Sequence, residues 1–211
     1  MLEEPEDCSR LILLKHPRLA DPSRDLALGR GDADLSRRGR AQVLVLAETF
    51  ESLGIDRVLS APARHCVETA EALGKRLGLE VEREDRLADQ DLGDWEGRSW
   101  PEIRVLDEGR LLEFFADYGT SAPPGGESLC DAVDRWIDWW EEERESARKR
   151  RLLLVGSGRV LQGFAARLLG LSIRRAPALT LPDGAFGILD AYRDGAVLRS
   201  WHPFAARDDL P

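Results

Sequence analysis

The chain has 211 residues, 43% of them hydrophobic and 33% charged, a length and balance that suit one sizeable core. Its formal net charge of -9 argues against a general nucleic-acid binder, because phosphate-backbone binding needs a broad basic surface. Three cysteines, Cys8, Cys66 and Cys130, are odd in number and lack metal-ligand spacing, so reduced thiols and no metal site are expected. The acidic start, Met1 to Asp7, lacks the basic and apolar parts of a signal peptide, and no apolar run approaches membrane-spanning length. The expectation is a cytoplasmic protein with no membrane partner, an acidic flexible tail over residues 1–9 and a single domain over 10–211.

The first element is an aliphatic strand, Leu11 to Leu14, that delivers Lys15, His16 and Pro17 to its C-terminal end. Ligands collect at the carboxyl ends of strands in open α/β sheets, so a histidine there is a candidate chemical group. A polar loop over 18–34 follows. Ser36 then caps a helix carrying Val43, Leu46, Ala47 and Phe50 at helical spacing, which Gly54 ends. Residues 55–60 read as a second strand and Arg64 to Leu77 as a second amphipathic helix. A third strand is expected over 79–83.

Residues 85–126 break this rhythm with Gly93, Gly97, Pro101, Pro123 and Pro124, and read as an insertion over one edge of the sheet. A long helix from Ser128 to Lys149 places Val133, Trp136, Ile137 and Trp140 on one face. The cluster of Trp136, Trp139 and Trp140 is wide enough to suggest that part of it faces a partner chain, as in a homodimer. Leu152 to Val155 repeats the opening pattern and runs into Gly156, Ser157 and Gly158 and a helix through Leu169. Phe186 to Tyr192, an Asp194-Gly195 turn and Ala196 to Trp201 read as an antiparallel hairpin. Together these elements predict a three-layer α/β/α sandwich, mostly parallel with an antiparallel edge.

Three separated motifs carry the chemistry: Leu14-Lys15-His16-Pro17; Ser60-Ala61-Pro62-Ala63-Arg64 with Glu68-Thr69-Ala70; and Leu87-Ala88-Asp89 followed by Gly93-Asp94-Trp95-Glu96-Gly97. With Pro124-Gly125-Gly126-Glu127-Ser128 and the late strand-to-glycine turn, this order resembles the histidine phosphatase superfamily, whose fold is phosphoglycerate mutase-like. The resemblance implies a phosphohistidine mechanism without a metal or other cofactor. A neutral imidazole at His16 attacks phosphorus, a carboxylic acid protonates the leaving oxygen, and water releases the phosphate. Carried over by position, the resemblance implies Asp89 as the acid and Lys15 and Arg64 as the two phosphate-binding cations. Ser157 takes the place of a second histidine, and Arg159 two residues later could return positive charge to the phosphate site.

Four of these positions depart from the family pattern. Lys15 replaces an arginine and loses its planar fork. Pro17 replaces a glycine, Asp89 is one methylene shorter than the usual glutamate, and Ser157 cannot carry charge. Glu84, Asp91 and Glu96 are alternative acids, whereas His65 and His202 have no role by position, His65 reading as structural or exposed. Two readings stay open: a phosphomonoesterase acting on a small phosphorylated metabolite, and a degenerate pseudophosphatase that binds a phosphorylated ligand or protein partner. A short acidic insertion favours hydrolysis over phosphoryl transfer. The Gly29-Arg30-Gly31-Asp32 loop is similar to that of small bacterial members that include α-ribazole phosphatases.

Overall fold

Leu11, Ile12, Leu13 and Leu14 are all fully buried in strand β1 (Ser9–Lys15). Successive strand side chains point to opposite faces, so a strand without an exposed face must be covered on both. Each of these aliphatics contributes about 2 kcal/mol of burial. The computed structural model describes residues 8–21 and 23–202.

The remaining elements in chain order are α1 (Arg37–Glu51), β2 (Arg57–Ser60), α2 (Arg64–Leu77), β3 (Val81–Arg83), α3 (Trp100–Leu106), α4 (Glu108–Ala116), α5 (Leu129–Glu143), β4 (Arg151–Gly156), α6 (Gly158–Leu168), β5 (Phe186–Tyr192) and β6 (Gly195–His202). The sheet order is β3-β2-β4-β1-β5-β6. Strands β3, β2, β4 and β1 are parallel, whereas β5 and β6 run antiparallel, as the hairpin pattern predicted. Helix α1 packs on α2 and α5 packs on α6, giving the two covering layers. The fold is therefore α/β and mostly parallel with an antiparallel edge.

Local chemistry fixes the element that follows the first strand. Ser36 Oγ accepts from Gly39 N at 2.9 Å and donates to Arg18 O, tying the start of α1 to the chain just past His16. Gly39 is needed there because a Cβ would lie 2.2 Å from Arg18 O.

Several boundaries differ from the sequence expectation. Helix α5 stops at Glu143 rather than Lys149, because three consecutive glutamates, Glu141 to Glu143, oppose the dipole at its C-terminus and the chain turns instead. Strand β3 starts at Val81, since Leu79 N is used to close the end of α2 on Gly74 O after the left-handed Gly78. The middle segment contains two helices, α3 and α4, that the sequence reading missed. Their N-terminal signal was present: Ser99 and Glu102 form a capping box with Pro101 in the first turn. Cys8 is buried and β1 begins at Ser9, so these two residues do not belong to the flexible tail expected over 1–9; residues 1–7 lie outside the described residues. Trp136, Trp139 and Trp140 are buried in the chain's own core and present no face to a second copy. Among the described residues no helix is long and apolar enough to cross a membrane.

Candidate active site

The parallel register pairs Lys15 with Gly156, so the residues that follow them, His16 and Ser157, emerge side by side at the carboxyl ends of β1 and β4. His16 N donates to Gly156 O at 3.1 Å, and His16 O accepts from Gly184 N at 3.1 Å. The imidazole Nδ1 lies 2.9 Å from Pro17 O. A carbonyl can only accept, so Nδ1 carries the proton and Nε2 keeps its lone pair. Burial lowers the His16 pKa to about 4; Lys15 adds to the shift, against the Pro17 carbonyl and Asp183. The ring is therefore neutral at pH 7.

His16 opens onto a cavity of about 340 Å³, lined also by Lys15, Leu19, Ser23, Leu26, Leu28, His65, Asp89, Ser157, Gly158, Arg159, Gln162 and Asp183. Lys15 Nζ pairs with Asp183 Oδ1 at 2.8 Å, and the Lys15 side chain lies against Gly158, where a Cβ would stand 3.0 Å from Lys15 Cδ. Asp183 had no signal in any motif.

Asp89 is held through its backbone. Arg135 of α5 donates to Arg86 O, Ala88 O and Asp89 O, and Trp136 Nε1 donates to Ala88 O. Glu127 anchors the same turn, accepting from Arg135 at 2.8 Å and from Asp91 N at 2.9 Å. Burial raises the Asp89 pKa to about 6, against hydrogen bonds from Gln90 N and the Ser157 hydroxyl and the charge of Arg159; Glu96 pushes it further up. The Ser157 hydroxyl also reaches the buried thiol of Cys66, whose pKa burial raises strongly.

Arg159, in the first turn of α6, points into the cavity. Its guanidinium sits 4.5 Å from the Phe114 ring centroid and 5.3 Å from that of Tyr118, and its Nε is buried without a partner. The middle segment thus supplies an aromatic bed for a cavity cation.

Arg64 stands elsewhere. Its side chain is exposed, 3.3 Å from Asp34, and lines a separate surface depression with Asp32, Glu68 and Lys75. Its backbone N donates to Asp32 Oδ1 at 2.7 Å, which supplies the start of α2 with the cap that Ala63 lacks. Helical residues step by about 100°, so Arg64, Glu68, Glu71 and Lys75 form the outward stripe and the next residue turns inward. That residue is His65. It is 1% exposed, contacts the His16 ring edge to face at 4.5 Å, and lines the cavity. Burial lowers its pKa to about 3, helped by His16 and Arg64. Of the two expectations for His65, structural or exposed, burial removes the exposed one, and its spacing with buried Thr69 and Leu73 marks the inner face.

The alternative acids are committed to structure. Glu84 binds Arg86, Asp91 binds Gly93 N and Arg30, and Glu96 accepts from Gly29 N, Arg30 N and Leu92 N. His202 is at the exposed end of β6 beside Phe186. Among the described residues, no group of three or more His, Cys, Asp and Glu side chains is arranged to hold a metal ion.

The chain is 32% identical over 181 residues to a glucosyl-3-phosphoglycerate phosphatase of Mycolicibacterium vanbaalenii, covering 81% of this chain and 78% of that one. The solved structure of a mycobacterial glucosyl-3-phosphoglycerate phosphatase superposes with a TM-score of 0.79 at 28% identity, covering 92% and 98% of the two chains. An α-ribazole phosphatase from Shigella flexneri shares the fold, with a TM-score of 0.81 at 24% identity over 91% and 95%. The sequence profile of the histidine phosphatase superfamily (branch 1) matches residues 11–203. On this match, and on a His16 cavity at the carboxyl ends of the parallel strands, the chain belongs to the histidine phosphatase superfamily and is a phosphoric monoester hydrolase, as its relatives named phosphatases are.

Proposed function

We propose that the chain hydrolyses a small phosphorylated metabolite through a phosphohistidine at His16, without a metal. The observation that carries this reading is the tautomer of His16: Pro17 O holds the Nδ1 proton, so a buried, neutral ring keeps the Nε2 lone pair free for phosphorus.

In the first step Nε2 forms the N–P bond while the bridging P–O bond breaks. Asp89, neutral below about pH 6, gives its proton to the departing oxygen. In the second step water attacks phosphorus, Asp89 takes a proton from it, and the N–P bond returns its electron pair to His16. Lys15 and Arg159 supply positive charge to the phosphoryl oxygens. Asp183 offsets part of the Lys15 charge, which favours modest rather than fast turnover.

Assay of p-nitrophenyl phosphate together with glucosyl-3-phosphoglycerate, α-ribazole phosphate and phosphoserine tests the reading. Phosphate release that vanishes in His16→Ala supports it; no release from any of them, or unchanged release in that variant, overturns it. The second reading, a binder of phosphorylated ligands without turnover, is favoured by one observation: Ser157 lends its hydroxyl to Asp89 and brings no charge to the cavity. Tight phosphate binding without turnover would select it.

A further inference from the structure

Only four buried side-chain nitrogen or oxygen atoms among the described residues lack a hydrogen-bond partner, and two of them, His65 Nδ1 and Arg159 Nε, belong to groups lining the His16 cavity. Buried polar atoms are nearly always satisfied, so two orphans around one polar cavity point to a place where a polar ligand binds. Arg159 Nε–H can only donate and His65 Nδ1 donates in the protonated ring, so one acceptor satisfies both. His65 has no part in the chemistry carried over by position.

We propose that His65 is a phosphoryl-binding residue that takes up a proton when a dianion enters the cavity, so that anion binding and protonation are coupled. This rests on the phosphatase reading and deepens it.

The groups around His65 explain why its charge waits for the ligand. His16, at the end of β1, meets its ring edge to face, and Arg64 precedes it on its own helix; both disfavour a proton there. Across the cavity, Lys15 is paired with Asp183, Asp89 accepts from Gln90 N and from Ser157, and Arg159 is a fixed cation. An arriving dianion reverses the sign of the local field and favours the charged imidazole. Of the two rings, His65 is the one to accept the proton, because His16 has its Nδ1–H on Pro17 O and needs Nε2 for phosphorus. One proton enters from solvent with each anion and leaves when phosphate departs. An arginine in this place would bind without such coupling, since it never deprotonates.

Sulfate is the probe, because it stays a dianion throughout the working range and any pH dependence belongs to the protein. Asp89 also titrates there, so binding is measured in full-length Asp89→Asn by calorimetry between about pH 5.5 and 7.5. The expected result is an affinity that falls about tenfold per pH unit between the free-state and bound-state pKa of His65, with one proton taken up, and that levels off above the bound-state value. In Asp89→Asn/His65→Leu the slope should vanish, and in Asp89→Asn/His65→Asn binding should persist without a slope. Independently of any variant's folding, imidazole 15N NMR of the wild-type protein should show His65 neutral when free and cationic under saturating sulfate. A slope retained without His65, or a neutral His65 in the saturated complex, overturns the inference. If the wild-type protein hydrolyses phosphomonoesters and either result still appears, this inference alone falls; if it neither binds sulfate nor turns over, the phosphatase reading falls with it.

Discussion

The rings of His16 and His65 meet edge to face, centroids 4.5 Å apart and 70° between planes, both buried and both held neutral. Two imidazoles in one cavity give the protein a pH response in folding as well as in chemistry.

Stability should fall on mild acidification. His16 is lowered from 6.5 to about 4 and His65 from 6.5 to about 3, so the unfolded chain binds protons that the folded chain refuses. The stabilisation is full above pH 6.5 and is lost as pH falls through the folded values. For His16 alone this is on the order of 3 kcal/mol, at about 1.4 kcal/mol per unit. Urea midpoints measured from about pH 7 to pH 4.5 should drop more steeply for the wild-type protein than for His65→Leu. Parallel slopes would remove His65 as a source.

Turnover should peak in weak acid. Below about pH 4 the His16 lone pair is lost to protonation, and above about pH 6 Asp89 has lost the proton it gives to the leaving group. Asp89→Asn should lower kcat by about 10²-fold or more and remove the alkaline limb. Ser157→Ala removes a hydrogen bond that lowers the Asp89 pKa, so in that variant the limb should move to higher pH. A profile rising above pH 7 would exclude Asp89 as the acid.

Arg135 is a positioning residue for Asp89. It holds the carbonyls of Arg86, Ala88 and Asp89 and is itself fixed by Glu127. Arg135→Met should reduce kcat about 10- to 100-fold with little change in KM for a small ester, because misplacement of about 1 Å is enough. A purely structural role would lower thermal stability and leave kcat per folded molecule and the pH profile unchanged.

At the opposite end of β1, Arg10 and Asp190 form a buried pair, with Nε to Oδ1 at 2.7 Å, and Arg199 adds a second cation. Burial alone would raise the Asp190 pKa, but the hydrogen bonds from Arg10 and Arg199 outweigh it and hold the carboxyl below its ordinary value. Asp190→Ala removes the carboxylate that Arg10 and Arg199 share and should cost about 3 kcal/mol, read from denaturant midpoints. Folded protein at low temperature should keep wild-type kcat. A loss under about 1 kcal/mol would mean that the pair contributes little to stability.

Strand and helix alternation, the closing hairpin and the place of His16 after β1 were legible because they follow from local periodicity and from one rule about strand ends. Arg159 was named for its nearness to Ser157, yet only packing shows why it turns inward: Phe114 and Tyr118, some forty to forty-five residues earlier, give its guanidinium an aromatic bed. The motif itself pointed to Arg64, and the helix presents His65 instead, because one residue on a helix is a turn of about 100°. Asp183 lies outside every motif and lines the cavity from the segment before β5, and Arg135 grips the Asp89 turn from α5. The sequence by itself determined the family, the parallel core and His16, since these are encoded in contiguous segments. Only the tertiary structure decided which charges surround that histidine, because a side chain's direction depends on helix phase and on partners from distant segments.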